Sequence, residues 1–68
     1  MTIRIELDRE ADGRWIAEVV EIPGALVYGA TPAEATRKVK ALALRAVADR
    51  FEMDEAGPDL DTISFAAA

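Results

Sequence analysis

The fold is decided by the stretch IPGALVYGATPAEA, residues 22–35, in which a turn, a short strand and a helix start follow one another. Pro23 and Gly24 suit the centre of a type II turn, because Pro fixes φ and Gly accepts the positive φ of the next position. Residues 25–28 are mostly apolar and predict a short strand, which Gly29 closes. The stretch therefore predicts a chain reversal and a strand that leads directly into a helix.

The helix start is marked by Thr31, Pro32 and Glu34. A Thr side chain accepts a hydrogen bond from the free N–H groups of the first turn, Pro fits the first helical position, and Glu three residues after Thr completes a capping box. We expect the helix to continue to about residues 50–53. Its apolar residues at 3.6-residue spacing form one stripe that faces a sheet: Ala35, Val39, Leu42, Ala43, Ala46 and Met53.

A second apolar surface lies on the same helix, well around the cylinder from this stripe. It consists of Leu44, Val47, Ala48 and Phe51. One sheet face does not need both surfaces. The core is also small, since fourteen of the hydrophobic residues are Ala, and such a core rarely supplies more than roughly 3–5 kcal/mol of net stability. We therefore expect a homo-oligomer, most simply a dimer, with the second surface as its contact.

Two strands are predicted before the turn. Residues 2–9 alternate apolar and polar side chains, which is typical of a half-buried strand. Asp12 and Gly13 mark a hairpin turn, because Gly accepts the positive φ that such a turn demands. A second strand follows at about residues 14–22, and Trp15 begins its inward face.

The chain after the helix is acidic. Residues 52–61 hold five acids together with Gly57 and Pro58, which predicts a loop, and residues 63–65 predict a short last strand. The expected fold is α+β in a single domain, residues 1–68, with the order β-β-β-α-β. An antiparallel sheet of three to four strands carries one long helix on one face.

The composition excludes several classes of protein. The 68 residues include no Cys and no His, which excludes a disulfide scaffold, a Cys/His metal site and catalysis by either residue type. The net charge of −5 argues against general nucleic-acid binding, because phosphate neutralisation needs a basic face. No run approaches ~18 apolar residues and the N-terminus does not read as a signal peptide, so we expect a cytoplasmic protein without membrane contact.

Acidic side chains form three groups that could be considered as sites. They are Glu6, Asp8, Glu10 and Asp12; Glu18 and Glu21; and the tail carboxylates, Asp54, Glu55, Asp59 and Asp61. A two-metal nuclease needs several carboxylates at one point, whereas Glu6 and Asp8 lie on the polar side of an amphipathic strand. We therefore favour a solvated surface there and predict no catalytic, metal-binding or cofactor-binding residue. The tail carboxylates belong either to a solubilising loop or to a surface that complements a basic partner.

Several short motifs, in this order and at close spacing, resemble the HicB antitoxin family. An Asp-Gly-x-aromatic start, an aliphatic-Pro-Gly turn and a Gly-x-Thr-x-x-Glu-Ala helix start are present, and the likeness extends over residues 3–50. Ala25 and Ala30 stand where the family often has Cys and Asp. The motif residues are Asp12, Gly13, Trp15, Pro23, Gly24, Gly29, Thr31 and Glu34.

The resemblance implies a partial RNase H-like fold, with one helix on a sheet of three or four strands, and a role that is not enzymatic. HicB proteins bind and neutralise HicA, a small basic toxin that cleaves mRNA. The expected partner is therefore a HicA-like toxin, and the tail carboxylates are its expected contact. Many family members carry a C-terminal DNA-binding module, and no helix pair that could form such a module is predicted in this sequence. We expect no direct DNA binding, unless an oligomer presents Arg37, Lys40 and Arg45 as one basic surface.

Three hypotheses about function follow. The first is an antitoxin that inhibits a small ribonuclease, and it predicts a basic partner encoded next to this chain. The second is a stand-alone HicB-like scaffold or regulator, which predicts a stable homo-oligomer and no such partner. The third is a minimal metal-dependent nuclease that uses Glu6, Asp8 and nearby carboxylates, which predicts cleavage that depends on Mg²⁺ or Mn²⁺ and is lost in Asp8→Ala.

Overall fold

The computed structural model describes residues 1–68 and contains a four-stranded sheet with one long helix packed on it. The α+β class and the order β-β-β-α-β are confirmed. A single turn of 3-10 helix, which the sequence did not predict, precedes the last strand. The elements are β1, Thr2–Arg9; β2, Trp15–Val19; β3, Leu26–Gly29; α1, Pro32–Glu52; the 3-10 turn, Pro58–Asp61; and β4, Ser64–Ala67.

The sheet is mixed, and the prediction of an antiparallel sheet is wrong at one edge. The strand order is β3-β2-β1-β4. β1 pairs with β2, and β2 with β3, in antiparallel fashion, whereas β4 runs parallel to β1 with Thr2 opposite Ser64. The reason is the connection through α1, because a strand that returns to the same sheet after a helical crossover runs parallel to the strand before the helix. β3 precedes α1 and has the same direction as β1, so β4 has that direction too.

The core lies between α1 and the face of the sheet that it covers. The helix contributes every fourth residue, a spacing that keeps side chains on one side of the cylinder. The strands contribute alternate residues, as the period of two predicts. The buried apolar side chains are Ile3 and Ile5 of β1, Ala17 and Val19 of β2, Ala35, Val39, Ala43 and Val47 of α1, and Ala25 and Leu60 from the connections.

Two apolar residues, one in α1 and one at its end, lie on other faces than the sequence predicts. Val47 was predicted to be part of the second apolar surface, but it is buried in the core, in line with Ala43 at four-residue spacing. Met53 was predicted to be part of the core stripe, yet it is exposed. The helix ends at Glu52, so Met53 is its C-cap and no longer follows the helical period. Leu42 also belongs to the predicted stripe and packs, partly buried, at the edge of the core.

The acidic segment after α1 is anchored rather than a plain loop. Leu60, in the 3-10 turn, is buried in the core. The amino group of Met1 donates hydrogen bonds to the carbonyl oxygens of Asp59 and Thr62, which ties the start of the chain to the same segment. The side chain of Leu60 therefore fixes this segment against the end of the sheet while its carboxylates face solvent. No helix is both long enough and apolar enough to span a membrane.

Candidate functional site

The Asp-Gly motif forms the turn between β1 and β2. Gly13 has φ +92°, a value that L side chains rarely adopt. The carboxylate of Asp12 accepts hydrogen bonds from the backbone N–H of Arg14 at 3.0 Å and from its Nε at 2.7 Å. Glu10 and Arg14 close the turn with a backbone hydrogen bond of 2.7 Å. These contacts give the motif a structural role in the hairpin.

The Pro-Gly motif forms a type II turn after β2, as predicted. The N–H of Ala25 donates to the carbonyl of Ile22 at 3.1 Å, and Gly24 has φ +85° at the third position of the turn. The turn interrupts the second strand earlier than predicted, so that strand ends at Val19 instead of near residue 22. The chain then reverses, and the N–H of Val19 donates to the carbonyl of Ala25 at 2.9 Å.

The third motif joins β3 to α1. A Cβ placed on Gly29 would lie 2.6 Å from the backbone nitrogen of Ala35, so only Gly allows the end of the strand to approach the first helical turn. The hydroxyl of Thr31 accepts a hydrogen bond from the N–H of Glu34 at 3.0 Å, which confirms the N-cap. The capping box is only half formed. The carboxylate of Glu34 pairs with Lys38 at 2.8 Å, because a basic residue four positions along the helix lies within its reach.

The motif residues support the backbone at both ends of the sheet and do not form one site. Trp15 and Gly29 are paired across β2 and β3, near the Asp-Gly turn and the helix start. Trp15 is half-buried, with the guanidinium of Arg9 at 5.9 Å from its ring centroid. The Pro-Gly turn lies at the opposite end of the sheet, since β2 runs from Trp15 to Val19 between the two turns.

The tail carboxylates lie together in the short segment that follows α1. Asp54 has φ +56°, an uncommon conformation in which Asp is one of the better-tolerated residues. Asp59 and Asp61 belong to the 3-10 turn, and Glu55 lies between the two elements. All four residues are exposed, and none makes an ion pair within the chain, where the ion pairs are Arg4–Glu21, Arg14–Asp12 and Lys38–Glu34. This segment therefore presents exposed carboxylates without ion-pair partners, and the Met1 amino group is the one cation bound to its backbone.

The sheet face that α1 leaves open carries a second group of carboxylates. Glu6 lies directly opposite Glu18 in the β1–β2 register, and Asp8 lies two residues along β1 on the same face. Like charges in this position repel one another. No group of three acidic side chains is arranged to hold a metal ion. The residues named for the nuclease hypothesis, Glu6 and Asp8, are thus exposed neighbours on a strand.

Apolar residues share this open face on the side of β2 and β3. Ile16 pairs with Tyr28 across the two strands, and Leu26 is opposite Glu18. Leu26, Tyr28 and Val20 are each about two-fifths exposed. The guanidinium of Arg14 stands 4.3 Å from the centroid of the Tyr28 ring, where it covers one side of it. The sequence already indicates a partly apolar outward face of β2 through Ile16 and Val20, and the sheet places Leu26 and Tyr28 of β3 beside it.

A groove beside α1 was not predicted. It has a volume of about 200 Å³ and is lined mainly by Leu7 and Phe65 from the sheet and by Thr36 and Lys40 from the helix. The Nζ of Lys40 lies 5.2 Å from the centroid of the Phe65 ring. The groove exists because α1 packs mainly over β2 and β3 and less over β1, which leaves the edge near β4 uncovered. No local sequence pattern predicts this position of α1 over the sheet, and the groove also depends on where β4 joins the sheet.

Three of the four residues predicted for the oligomer contact are exposed on the surface. Leu44 is 46% exposed and Phe51 is 53% exposed, and Ala48 is exposed between them. Val47 is buried, so it contributes to the core of its own chain and not to a contact between chains. The remaining residues form an apolar surface on the solvent side of α1.

The ion pair between Arg4 and Glu21 contributes to a dependence of stability on pH. The side chain of Arg4 lowers the pKa of Glu21 from its ordinary value of 4.5, first through its hydrogen bond, with a further contribution from the Arg4 backbone N–H at 2.8 Å. Because the pKa is lower in the folded state, the unfolded chain binds a proton first as the pH falls. The stabilisation is complete above the unfolded pKa and is lost as the pH passes down through the folded value.

When the pH is lowered beneath about 4.5, we expect the melting temperature to decrease, and to decrease less steeply in Glu21→Gln than in the wild-type protein. Some acid dependence will remain in the variant, since hydrogen bonds from Arg14 also lower the pKa of Asp12, and the contact with Lys38 lowers that of Glu34. Thermal unfolding followed by circular dichroism between pH 3 and pH 7 measures the slope. Glu18→Gln is the control, and an equal change of slope in both variants would contradict the assignment to the Arg4–Glu21 pair.

The candidate site is therefore a set of exposed surfaces: the tail carboxylates, the apolar half of the open sheet face, the groove and the outer side of α1. Among these, the sequence predicts the tail carboxylates, the outer side of α1 and the β2 part of the apolar sheet face, but not the groove. No protein-family model, no curated protein and no solved structure matches this chain.

Proposed function

We propose that this chain is an antitoxin-like protein that binds and neutralises a small, basic, mRNA-cleaving toxin of the HicA type. The single observation that carries the proposal is the exposed negative charge of the tail carboxylates, which make no ion pair within the chain and which the chain holds in an anchored segment. The resemblance to HicB antitoxins supplies the class of partner. The observed sheet of four strands with one helix agrees with the fold that this resemblance implies.

Charge complementarity explains why such a surface suits such a partner. A protein that cleaves RNA needs a basic surface to attract phosphate groups. An acidic surface of opposite sign speeds the encounter of the two proteins and competes with RNA for the same face. The four carboxylates make no ion pair within the chain, so they are available for this contact, and the amino group of Met1 is the one cation bound to the backbone of their segment.

The anchoring of the segment adds to the affinity. Leu60 is buried, and the carbonyl oxygens of Asp59 and Thr62 accept hydrogen bonds from the amino group of Met1. A segment that is already ordered loses less conformational entropy on binding than a disordered one. The backbone that carries Asp59 and Asp61 is therefore in place before the partner arrives.

We expect neutralisation of the tail carboxylates to slow association. The variant carries Asp54→Asn, Glu55→Gln, Asp59→Asn and Asp61→Asn, which keep the size of each side chain. At low salt, its association rate constant with the co-purified basic partner should fall at least roughly tenfold, and the difference should shrink as salt is added. Surface plasmon resonance at two ionic strengths measures both effects.

A matched control separates local from overall charge. The control variant carries Glu6→Gln, Asp8→Asn, Glu10→Gln and Glu18→Gln, which changes the net charge by the same amount on another part of the surface. It should keep an association rate constant close to that of the wild-type protein. Equal slowing of association in both variants would show that only net charge matters. An unchanged association rate constant in the tail variant would show that these carboxylates are not part of the contact.

The partner itself is found by co-purification. The tagged chain is expressed from its native operon together with the neighbouring small open reading frames, and the bound proteins are identified by mass spectrometry. A small basic protein in stoichiometric amount, which arrests growth when it is expressed alone, supports the antitoxin function. Recovery of the chain alone, as a homo-oligomer, would favour the stand-alone scaffold, which the exposed Leu44 and Phe51 also suit.

A further inference from the structure

The edge strand β4 has a free side that the fold leaves unprotected. β4 is the outermost strand beside β1, whereas the strand at the other edge, β3, packs against α1. Natural proteins protect sheet edges with charged side chains, Pro, bulges or a covering helix. β4 reads Ser-Phe-Ala-Ala, without charge or Pro, and α1 lies mainly over β2 and β3. The edge of β4 is therefore open to pairing with another strand.

The hydrogen bonds between β4 and β1 show which backbone groups are free. The N–H groups of Ser64 and Ala68 donate to carbonyl oxygens in and next to β1, at 3.0 Å and 2.9 Å. Successive residues of a strand direct their backbone groups to opposite sides, so the residues between these two direct theirs away from β1. The free N–H and C=O groups are thus those of Phe65 and Ala67.

The groove lies on the helix side of the same edge. Its lining is apolar except for Thr36 and Lys40, and its volume is about 200 Å³. An apolar cavity of about 150 Å³ holds a benzene molecule, so this groove has room for one aromatic ring. Ala67 lines the groove with a single methyl group. An aromatic side chain on a strand added beside Ala67 therefore reaches over that residue into the groove.

Charge favours a second copy of this chain as the source of that strand. The net charge is −5, so two copies repel each other over most of their surfaces. β4 and the groove contain no acidic residue, and Lys40 is the one charged side chain there. Two copies that meet at this edge bring no carboxylates of β4 or the groove together. A basic partner, in contrast, is attracted to the acidic surfaces elsewhere on the chain.

We propose that β4 pairs in antiparallel orientation with β4 of a second copy, so that the two sheets become continuous. The two-fold axis passes between the two copies of Ala66, and Phe65 lies opposite Ala67 of the partner subunit. This register joins the free backbone groups of both residues, because directly opposite residues of an antiparallel pair exchange both hydrogen bonds. It also places each large side chain beside a small one, and Phe65 of the partner subunit fills the groove.

The contact is isologous, since both copies use the same edge and the same groove. It lies away from Leu44, Ala48 and Phe51 on the outer side of α1, where the sequence places the oligomer contact. Four residues of strand and one groove bury an area at the lower end for specific interfaces, below about 1,200 Å². The dimer is therefore in measurable exchange with the monomer. This inference does not depend on the antitoxin function.

Sedimentation velocity on the purified chain tests the contact. We expect the wild-type protein to change from mainly monomer to mainly dimer between about 1 μM and 500 μM, as a small interface requires. Ala67→Lys should weaken the dimer at least tenfold, because it places a charge beside the aromatic ring in the paired edge. Circular dichroism checks that this variant is folded, which is expected since Ala67 is exposed in the single chain.

Ala41→Lys is the matched control, because it makes the same substitution at an exposed Ala on the outer side of α1. It changes the net charge by the same amount and should dimerise like the wild-type protein. If Ala41→Lys weakens the dimer as much as Ala67→Lys does, or more, the copies do not meet through β4 and the proposal is wrong. A wild-type protein that stays monomeric up to about 500 μM would also overturn it.

Cross-linking tests the register, and the absence of Cys from the chain makes the experiment direct. The two copies of Ala66 form a pair without hydrogen bonds on the two-fold axis, where opposite Cα atoms are about 4.5 Å apart. A disulfide accepts Cα separations of about 4.4–6.8 Å. Oxidised Ala66→Cys should therefore give a covalent dimer, whereas Ala48→Cys on α1 should stay monomeric. Cross-linking of Ala48→Cys without that of Ala66→Cys would place the contact on α1 and contradict the proposal.

Discussion

Replacing Gly29 by Ala is expected to unfold much of the protein at room temperature. The added Cβ would lie 2.6 Å from the backbone nitrogen of Ala35 and 3.0 Å from its Cα. Backbone atoms cannot rotate away as a side chain can, so β3 and the first turn of α1 must separate. Overpacking of this kind costs about 3 kcal/mol. A core of this size supplies roughly 3–5 kcal/mol in total, so the loss is of the same order as the whole stability.

Gly57→Ala is the control for this substitution. A Cβ on Gly57 would meet only Oδ1 of Asp59, at 2.9 Å, and that exposed side chain can turn away. Urea denaturation followed by circular dichroism should give nearly wild-type stability for Gly57→Ala and a strongly reduced transition for Gly29→Ala. Equal stabilities of Gly29→Ala and the wild-type protein would mean that the strand and the helix do not approach as closely as described.

Replacing Ile3 by Ala is expected to have an effect of similar size. Ile3 is one of the largest fully buried side chains, and it is paired in register with Phe65 of β4. Removal of its outer carbon atoms leaves a cavity between the sheet and α1, at a cost of about 2–5 kcal/mol. Because β4 has no other neighbouring strand, we expect it to detach from β1 early.

Leu7→Ala is the matched comparison for Ile3→Ala. Leu7 lies on the same strand and on the same face, but it is 40% exposed beside the groove. Its truncation should cost only about 1 kcal/mol, since little apolar surface returns to water. Denaturation curves of the two variants test the difference. If Leu7→Ala is as damaging as Ile3→Ala, the groove is filled by packed side chains and α1 covers more of β1 than described.

The local features of the fold were predictable because each is fixed by a few adjacent residues. The turn at Pro23 and Gly24 depends on φ values that these two residues favour, and the helix start at Thr31 depends on one side-chain hydrogen bond. The period of two placed Ile3 and Ala17 in the core for the same reason. Interactions within a short stretch of chain decide all of these features.

Features that depend on distant contacts were not predictable in the same way. The direction of β4 follows from the crossover through α1 and from its choice of β1 as a neighbour. The place of Val47 in the core depends on how α1 rotates on the sheet, and apolar residues on both sides of the helix left that rotation open. The burial of Leu60 likewise requires the 3-10 turn to fold back on the end of the sheet.

The candidate site shows the same division. The charge of the tail carboxylates could be recognised directly, since five acids without a base follow one another between residues 52 and 61. Their anchoring could not, because it needs the buried Leu60 and the amino group of Met1 from the other end of the chain. The groove near Phe65 also requires the assembled sheet.

The antitoxin proposal is tested most directly by RNA cleavage. The small basic protein that co-purifies with this chain is incubated with mRNA, and increasing amounts of the purified chain are added. We predict that cleavage falls steadily and stops at an equimolar amount of the chain, and that the same amount of the variant with neutral tail carboxylates takes roughly tenfold longer to stop cleavage at low salt. Cleavage that persists in an excess of the wild-type chain would contradict the antitoxin proposal. Equal inhibition by the wild-type protein and the neutral-tail variant would contradict the role of the acidic surface.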